Sequence, residues 1–225
     1  MNQTASIPVI AIDGPSASGK GTVAQRVARE LGYHYLDSGA LYRVVALAAR
    51  ERGISWHDAE ALAAMATTLE IRFDDDCILL DGIDVSDEVR SEEIGKGASQ
   101  VAVHPQLRAA LLDLQRSFRR APGLVADGRD MGSVVFPDAQ TKIFLTASAE
   151  VRAERRYKQL KQKGKNANLQ EILHDLKQRD IRDSQRAVAP LQQCEDARLL
   201  ETSRLTIDQA VRFVLAAAEE QIGKN

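Results

Sequence analysis

The sequence has few of the features that mark secreted, zinc-binding or membrane proteins. It contains two cysteines in 225 residues, Cys77 and Cys194. Their separation fits no metal-binding spacing, so we expect two reduced thiols. The unbroken apolar runs are short, such as residues 44–49, whereas a membrane helix needs about 20 apolar residues. Residues 1–11 lack the basic flank and apolar stretch of a signal peptide. We therefore expect a cytoplasmic protein that has no membrane partner.

An excess of charge of one sign is also lacking. The chain has 30 lysines and arginines against 32 aspartates and glutamates, which gives a net charge of −2. This balance is unlike that of a protein that coats nucleic acid, so no nucleic-acid partner is expected. A hydrophobic content of 44% over this length supports a folded domain with its own core.

The hydrophobic pattern alternates between short buried strands and amphipathic helices. Strands are predicted at 9–12, 33–36, 124–127, 143–145 and 199–200. Helices are predicted at 20–31, 38–52, 92–103, 105–118, 150–164, 169–183 and from a capping box at 206–209 onward. A capping box at 55–58 predicts a further helix that ends near residue 69. Residues 70–90 predict a small antiparallel sheet. The fold class is therefore α/β, a doubly wound sheet with an inserted β piece.

The strongest motif is a glycine-rich phosphate loop between the first strand and the first helix. Glycines permit close approach of the backbone to an anion, the N–H groups at the start of the helix attract it, and the lysine adds a full positive charge. We expect ATP to bind to this loop, whose residues are Gly14, Pro15, Ser16, Ala17, Ser18, Gly19, Lys20, Gly21 and Thr22. The position after the lysine usually carries a hydroxyl but is Gly21 here. The magnesium-binding role of a hydroxyl at this position is therefore either weakened or taken over by Thr22.

A phosphate loop alone is compatible with several classes of enzyme. The sequence has no Asn-Lys-x-Asp motif for reading guanine, which argues against a GTPase, and it is short for an ATPase motor. Asp127 ends an apolar strand, where an acidic residue commonly holds Mg²⁺, often through water. Asp13 also follows a strand, and for this residue a structural role is at least as plausible an interpretation.

Four motifs along the chain point to a more specific class of enzyme. They are IDGPS at 12–16, LDSGALYR at 36–43, ADGRDMG at 126–132 and RDIRDS at 179–184. Together and in this order they resemble the bacterial cytidylate kinases, nucleoside monophosphate (NMP) kinases of the phosphate-loop class, over essentially the whole chain. The resemblance implies a five-stranded parallel core at 1–37, 116–151 and 176–225. It also implies an NMP-binding subdomain at about 38–115 that holds the small sheet, and a short helical lid at about 152–175. The implied reaction is transfer of a phosphoryl group from ATP to CMP or dCMP, with Mg²⁺.

The chemistry of this reaction calls for arginines more than for a base. The acceptor is a phosphate oxygen that is already anionic at neutral pH, because the second ionisation of a phosphate monoester lies near pH ~6. The enzyme has to align two polyanions and exclude water. The resemblance assigns Lys20, Arg129, Arg155 and Arg186 to catalysis, with Arg155 reaching the ATP phosphates from the lid. It assigns CMP binding to Ser38, Arg43, Ser99, Arg108, Arg129, Asp130, Arg179, Asp183 and Arg186.

Within this set the resemblance implies separate tasks. Ser99, Arg108 and Asp130 would read cytosine, Asp183 would contact the ribose, and Arg43 would bind the CMP phosphate. We interpret Arg152 and Arg182 as parts of a solvated helix face.

Two other functions stay open at this point. The chain could be another small-molecule kinase of this fold, such as one for UMP or shikimate, or a regulatory nucleotide-binding module without turnover. The arginines outside the phosphate loop favour a second phosphorylated substrate. The basic run at 158–165 fits a lid that contacts the triphosphate of ATP. We also expect the protein to be a monomer.

Overall fold

The computed structural model describes residues 7–74 and 77–222. Residues 1–6, part of the segment in which no signal peptide is predicted, lie outside the described residues. The chain divides into two compact units. The smaller unit is Asp37–Ser117, and the larger unit comprises the residues up to Leu36 and from Phe118 onward.

The elements follow one another in this order: β1 (Val9–Asp13), α1 (Lys20–Leu31), β2 (His34–Asp37), α2 (Ser38–Glu51), α3 (Ala59–Ala66), β3 (Ile71–Asp74), β4 (Cys77–Leu80), β5 (Ile83–Asp84), α4 (Glu92–Val101), α5 (Pro105–Ser117), β6 (Leu124–Gly128), β7 (Thr141–Thr146), α6 (Ala149–Gln162), α7 (Leu169–Ser184), β8 (Arg198–Glu201) and α8 (Ile207–Ile222). A 3₁₀ turn at Glu88–Arg90 and a π-helical turn at Met131–Val135 complete the set.

The larger unit is built on a five-stranded parallel sheet with the strand order β2-β6-β1-β7-β8. Every residue of β1 and β6 is buried, as expected for central parallel strands covered on both faces. Apolar residues of α1 and α8, such as Val27 and Val214, form one core with Ile12 and Ile143 of the sheet. The register places Asp13 beside Gly128 at the carboxyl ends of β1 and β6, where ligands bind in open α/β sheets.

The smaller unit packs four helices, α2 to α5, around a second core. Leu47, Leu62, Ile94 and Leu107 are fully buried there. Strands β3, β4 and β5 form a separate antiparallel sheet. Trp56 donates a hydrogen bond from its indole nitrogen to the Ala46 carbonyl at 2.9 Å. The predicted α/β fold, with a five-stranded parallel sheet and a small antiparallel one, is confirmed.

Helix boundaries follow local capping, and one predicted boundary is wrong. The capping box of α8 is present, because Thr206 Oγ1 accepts from the Gln209 amide and Gln209 Oε1 accepts from the Thr206 amide. The box predicted at 55–58 does not start a helix at Ser55. The N-cap of α3 is instead Asp58, whose carboxylate accepts from Ala61 N at 3.0 Å, and α3 ends at Ala66. Within residues 7–74 and 77–222, no helix is long and apolar enough to span a membrane.

Candidate active site

The phosphate loop begins at the end of β1, where the chain packs closely against the neighbouring strand β7. A Cβ atom at Gly14 would lie 1.9 Å from the backbone oxygen of Leu145, so no other residue fits there without moving a strand. Gly19 is the N-cap of α1 with φ 95° in the left-handed region, and it offers no side-chain cap. The N-terminus of α1 is the positive end of the helix dipole, which favours an anion as its ligand.

A cavity of about 680 Å³ lies beside this loop in the larger unit. Gly19, Lys20, Thr22, Arg155 and Thr206 are among the residues that line it. The Lys20 ammonium is 3.5 Å from the Pro15 carbonyl, within the loop itself. The cavity thus combines a helix N-terminus with a lysine, which is the chemistry of a polyphosphate site.

Arg155 joins the basic helix α6 to the phosphate loop. Its guanidinium donates to the Ser18 carbonyl at 2.9 Å and to the Thr202 carbonyl at 2.6 Å. The structure therefore places this predicted catalytic residue at the loop. Ser18 Oγ itself is buried and has no hydrogen-bond partner among the described residues. A buried hydroxyl of this kind is costly unless a ligand satisfies it.

Arg152, on the same helix, is not on a solvated face, so that interpretation is wrong. Its side chain is 5% exposed and pairs with both carboxylate oxygens of Asp180, the shorter distance being 2.6 Å. It also donates to the Ser16 carbonyl at 3.2 Å. The interpretation considered only the charge of Arg152 within its own helix. It did not foresee that Asp180 on α7 would be its partner. Arg182 is exposed, as that interpretation requires.

Three predicted CMP-binding arginines converge on one buried carboxylate. Asp183 is fully buried, and its two oxygens accept from Arg129 Nε at 2.7 Å and from Arg186 at 2.5 Å. The Arg179 Nε atom lies 3.9 Å from the same carboxylate. Arg129 also donates to Ser16 Oγ in the phosphate loop at 2.6 Å. One guanidinium thus connects the phosphate loop to the arginine cluster around Asp183.

The charges of this cluster dominate the titration of Asp183. Burial by itself raises the pKa of this carboxyl, but Arg129, Arg186 and Arg179 outweigh burial and bring the pKa down to about 2. For Arg129, burial lowers the pKa, while the charge of Asp183 more than offsets it and keeps the pKa above its usual value. Asp183 therefore stays ionised and holds the arginines in place before any ligand binds.

Asp13 has a structural role in the larger unit. Its two oxygens accept hydrogen bonds from Met131 N and Gly132 N, both at 2.8 Å. Burial raises the pKa of Asp13 to about 6 against the opposing effect of these amides. The bonds anchor the π-helical turn that follows Asp130, which is itself 2% exposed. The sequence pattern does not predict this turn, because Asp13, which holds it in place, lies in a strand far earlier in the chain.

Asp127, the predicted magnesium carboxylate, is the penultimate residue of β6 and is 4% exposed. Its Oδ2 atom accepts from the Tyr35 hydroxyl at 2.5 Å. A Cβ atom at Gly21 would lie 3.5 Å from Asp127 Oδ2. Both Gly21 and Thr22 line the cavity, and Thr22 is exposed. The residue beside Asp127 is therefore Gly21, and Tyr35 is a site residue that the sequence analysis missed. The signal available in the sequence was the unusual glycine after Lys20, which leaves space for the side chain of a neighbouring residue.

In the smaller unit, Arg43 and Arg108 are both held by backbone carbonyls. Arg43 donates to the Val89 carbonyl at 2.7 Å. Arg108 donates to the Ala102 carbonyl at 3.3 Å and lies 5.7 Å from the centre of the Tyr42 ring. Arg108 is 8% exposed. A guanidinium group has five N–H donors in a planar fork, which suits the recognition of a phosphate or a base.

Two predicted serines of the smaller unit lie in different surroundings. Ser38 is buried and accepts from the Gln115 amide at 2.8 Å, so Gln115 is a second polar residue that the sequence analysis missed. Ser99 is 1% exposed, and its hydroxyl has no hydrogen-bond partner among the described residues. A buried hydroxyl without a partner in the protein fits a serine that contacts a ligand.

Comparison with known proteins identifies the family. A family model described as cytidylate kinase matches residues 10–220. A cytidylate kinase from Chromobacterium violaceum is 62% identical over 96% of this chain and 97% of its own length. Cytidylate kinases from Burkholderia pseudomallei and Nitrosomonas eutropha are 60% and 58% identical over 93% of this chain, covering 92% and 93% of their own lengths. The chain therefore belongs to the cytidylate kinase family, and the predictions of a cytidylate kinase and of a nucleoside monophosphate kinase enzyme are confirmed.

Proposed function

We propose that the residues of the larger unit bind ATP through its phosphates at the loop 14–22. The triphosphate would lie against the N-terminus of α1 and Lys20, and the nucleoside would occupy the cavity of about 680 Å³. Arg155 would exchange a carbonyl partner for a phosphate oxygen, which is a stronger acceptor because it is charged. The buried Ser18 hydroxyl supports this arrangement, since a bound phosphate would supply its missing partner.

For CMP or dCMP, the proposed contacts are the residues that the resemblance assigns. In the larger unit these are Arg129, Asp130, Arg179, Asp183 and Arg186, and in the smaller unit they are Ser38, Arg43, Ser99 and Arg108. The arginines would bind the phosphate, and Asp130, Arg108 and Ser99 would read the base. Both oxygens of Asp183 already accept hydrogen bonds. A carboxylate has about four acceptor sites, so a ribose hydroxyl can still donate to it.

The observation that carries this proposal is the double contact of Arg129. Its guanidinium bonds to Ser16 in the phosphate loop and to Asp183 in the arginine cluster. A cation in this position can contact the donor phosphates and the acceptor phosphate at the same time. Its charge would oppose the repulsion between the two polyanions and stabilise the transferring phosphoryl group. The acceptor oxygen is already anionic, so the mechanism needs alignment and charge stabilisation and no carboxylate base.

The residues present fit a magnesium ion bound chiefly by the nucleotide. Mg²⁺ usually binds through one or two carboxylates, water and substrate phosphates, and Asp127 is a buried carboxylate next to the loop. Among the described residues, no three His, Cys, Asp or Glu side chains form a group that could hold a metal alone. Asp127 would hold the ion, through water, and Thr22 is a further candidate. The ion would neutralise charge on the β- and γ-phosphates.

The same proposal places the protein in the cytoplasm, where ATP and CMP are available, and makes it active as a monomer. The monomer is proposed because every residue that the proposal invokes belongs to one chain. Size-exclusion chromatography with light scattering measures the oligomeric state directly.

An acceptor panel tests the proposed activity. ADP formation from ATP is measured with Mg²⁺ and with CMP, dCMP, UMP, shikimate or no acceptor. We expect turnover to depend on the acceptor and to be fastest with CMP or dCMP. ATP hydrolysis that is indifferent to the acceptor, or a preference for UMP or shikimate, would contradict the proposal. The phosphorylated product is identified by chromatography, which separates CDP formation from plain hydrolysis.

A further inference from the structure

The hydrogen bond between Tyr35 and Asp127 links two adjacent strands at the edge of the candidate site. Tyr35 lies on β2, and Asp127 is near the end of β6, its neighbour in the sheet. The phenol donates to Asp127 Oδ2 at 2.5 Å. Hydrogen bonds from a hydroxyl donor to a carboxylate acceptor lie in this short range. The bond restricts the rotation of a carboxylate that has little contact with solvent.

The space around this bond is the space that Gly21 leaves open. A Cβ atom at position 21 would lie 3.5 Å from Asp127 Oδ2 and 3.6 Å from the Tyr35 hydroxyl oxygen. Other phosphate loops carry a serine or threonine hydroxyl at this position, directly after the lysine. In this chain the Tyr35 hydroxyl, from a neighbouring element of the fold, lies beside that place.

We propose that Tyr35 is a positioning residue for Asp127 and that its phenol supplies, from a neighbouring strand, the hydroxyl that position 21 lacks. The proposal rests on the proposed function, because it takes Asp127 as the carboxylate that faces the Mg²⁺ of MgATP. A carboxylate whose orientation is fixed in advance binds a metal or its water more tightly, and loss of such a supporting partner typically costs about 10- to 100-fold in metal affinity.

The variant Tyr35→Phe removes the hydroxyl and keeps the ring, which packs against the core of the larger unit. Tyr33→Phe is the matched control, since the Tyr33 ring packs against the same core and covers Gly123. Isothermal titration calorimetry measures the affinity for ATP in excess MgCl₂ and in EDTA, and circular dichroism verifies the fold. We expect Tyr35→Phe to reduce the Mg²⁺-dependent gain in ATP affinity by about tenfold. Its affinity in EDTA should be unchanged, and Tyr33→Phe should match the wild type.

A second variant tests whether positions 21 and 35 share one task. The backbone of Gly21 is not in the left-handed region, and the distances above leave room for a Cβ atom, so a serine can be introduced there without backbone strain. Adding Gly21→Ser to Tyr35→Phe should recover at least part of the Mg²⁺ dependence. If the serine leaves the ATP affinity in MgCl₂ where Tyr35→Phe put it, the idea that one hydroxyl replaces the other is wrong.

The remaining outcomes separate this inference from the proposed function. If Tyr35→Phe keeps the wild-type Mg²⁺ dependence, or loses affinity equally in MgCl₂ and EDTA, Tyr35 only supports the fold and the inference is overturned. If the wild type itself binds ATP equally well with and without Mg²⁺, the metal assignment of Asp127 fails, and with it this inference.

Discussion

Replacing Asp183 by asparagine tests the arginine cluster most directly. The substitution keeps the size of the side chain and removes the negative charge that Arg129, Arg186 and Arg179 share. Breaking a buried ion pair from one side typically costs ~3–5 kcal/mol, because the partner charges lose their compensation. Arg129 and Arg179 keep 13% and 22% of their side chains exposed, so they can partly return to water. We therefore expect Asp183→Asn to lower the free energy of unfolding at pH 7 by about 3 kcal/mol.

The effect should shrink in acid, and the sign of this change follows from the pKa of Asp183. The pKa of Asp183 falls from 3.8 to about 2 on folding. The stabilisation is therefore present above pH 4 and is lost as the pH falls through about 2. At roughly 1.4 kcal/mol per pH unit, this difference is worth about 2 kcal/mol. Asp13 acts in another window and in the opposite direction. Its pKa is raised to about 6, so its protonation favours the folded state as the pH falls from 6 to 4.

Urea denaturation of the wild type and of Asp183→Asn, followed by circular dichroism at pH 7, 5, 3 and 2, provides the measurement. Asp13 is present in both proteins, so its contribution cancels in the difference. The difference should be constant from pH 7 to 5 and shrink toward pH 2. Asp208→Asn is the control, because it breaks an exposed ion pair with Arg26 and should change stability little. A difference below about 1 kcal/mol at pH 7, or one that is independent of pH, would refute the reasoning.

Other substitutions separate the tasks of the site. Lys20→Ala should lower kcat by roughly 100- to 1,000-fold, because it removes a charge that acts on the transferring phosphate. The free energy of unfolding should change little. A near-normal kcat would contradict the assignment of the phosphate loop to the reaction. Arg43→Ala should raise KM for CMP by about 10- to 100-fold and leave the calorimetric affinity for ATP unchanged. Arg50→Ala, an exposed arginine on the same helix, is its control, and equal loss of ATP affinity would reassign Arg43. Asp130→Asn should lower the ratio of kcat/KM for CMP over UMP by about tenfold or more, because an amide can donate to the uracil carbonyl. A parallel fall in both values would show that Asp130 only supports the site.

The regular elements could be predicted from sequence because their signals are local. α1 has the predicted bounds, Lys20–Leu31, since its apolar period and the flanking glycines all lie in one segment. The start of α3 was mispredicted because Ser55 and Asp58 are both good cap residues. Ser55 caps only a short turn, accepting from His57 N at 3.2 Å, while Asp58 caps the helix. Local sequence does not rank two such caps.

The sequence motifs named candidate site residues but could not give their network of contacts. They selected the loop, Asp183 and the arginines as candidates, whereas the contact between Arg129 and Ser16 joins residues 113 positions apart. The bonds from Asp13 to the turn after Asp130 and from Tyr35 to Asp127 are also long-range. Such partners are decided by sheet order and packing, which a one-dimensional pattern does not encode. The burial of Arg152 against Asp180 was missed for the same reason.

Trp56 is the only tryptophan of the chain, and it belongs to the smaller unit. Its indole nitrogen is bonded to Ala46, and its ring packs so closely on α4 that a Cβ atom at Gly97 would lie 2.6 Å from it. Tryptophan fluorescence therefore reports on residues 37–117 alone, while far-ultraviolet circular dichroism reports on the whole chain. Recording both signals in a single denaturation experiment distinguishes one cooperative unfolding transition from two independent ones without a label or an engineered probe.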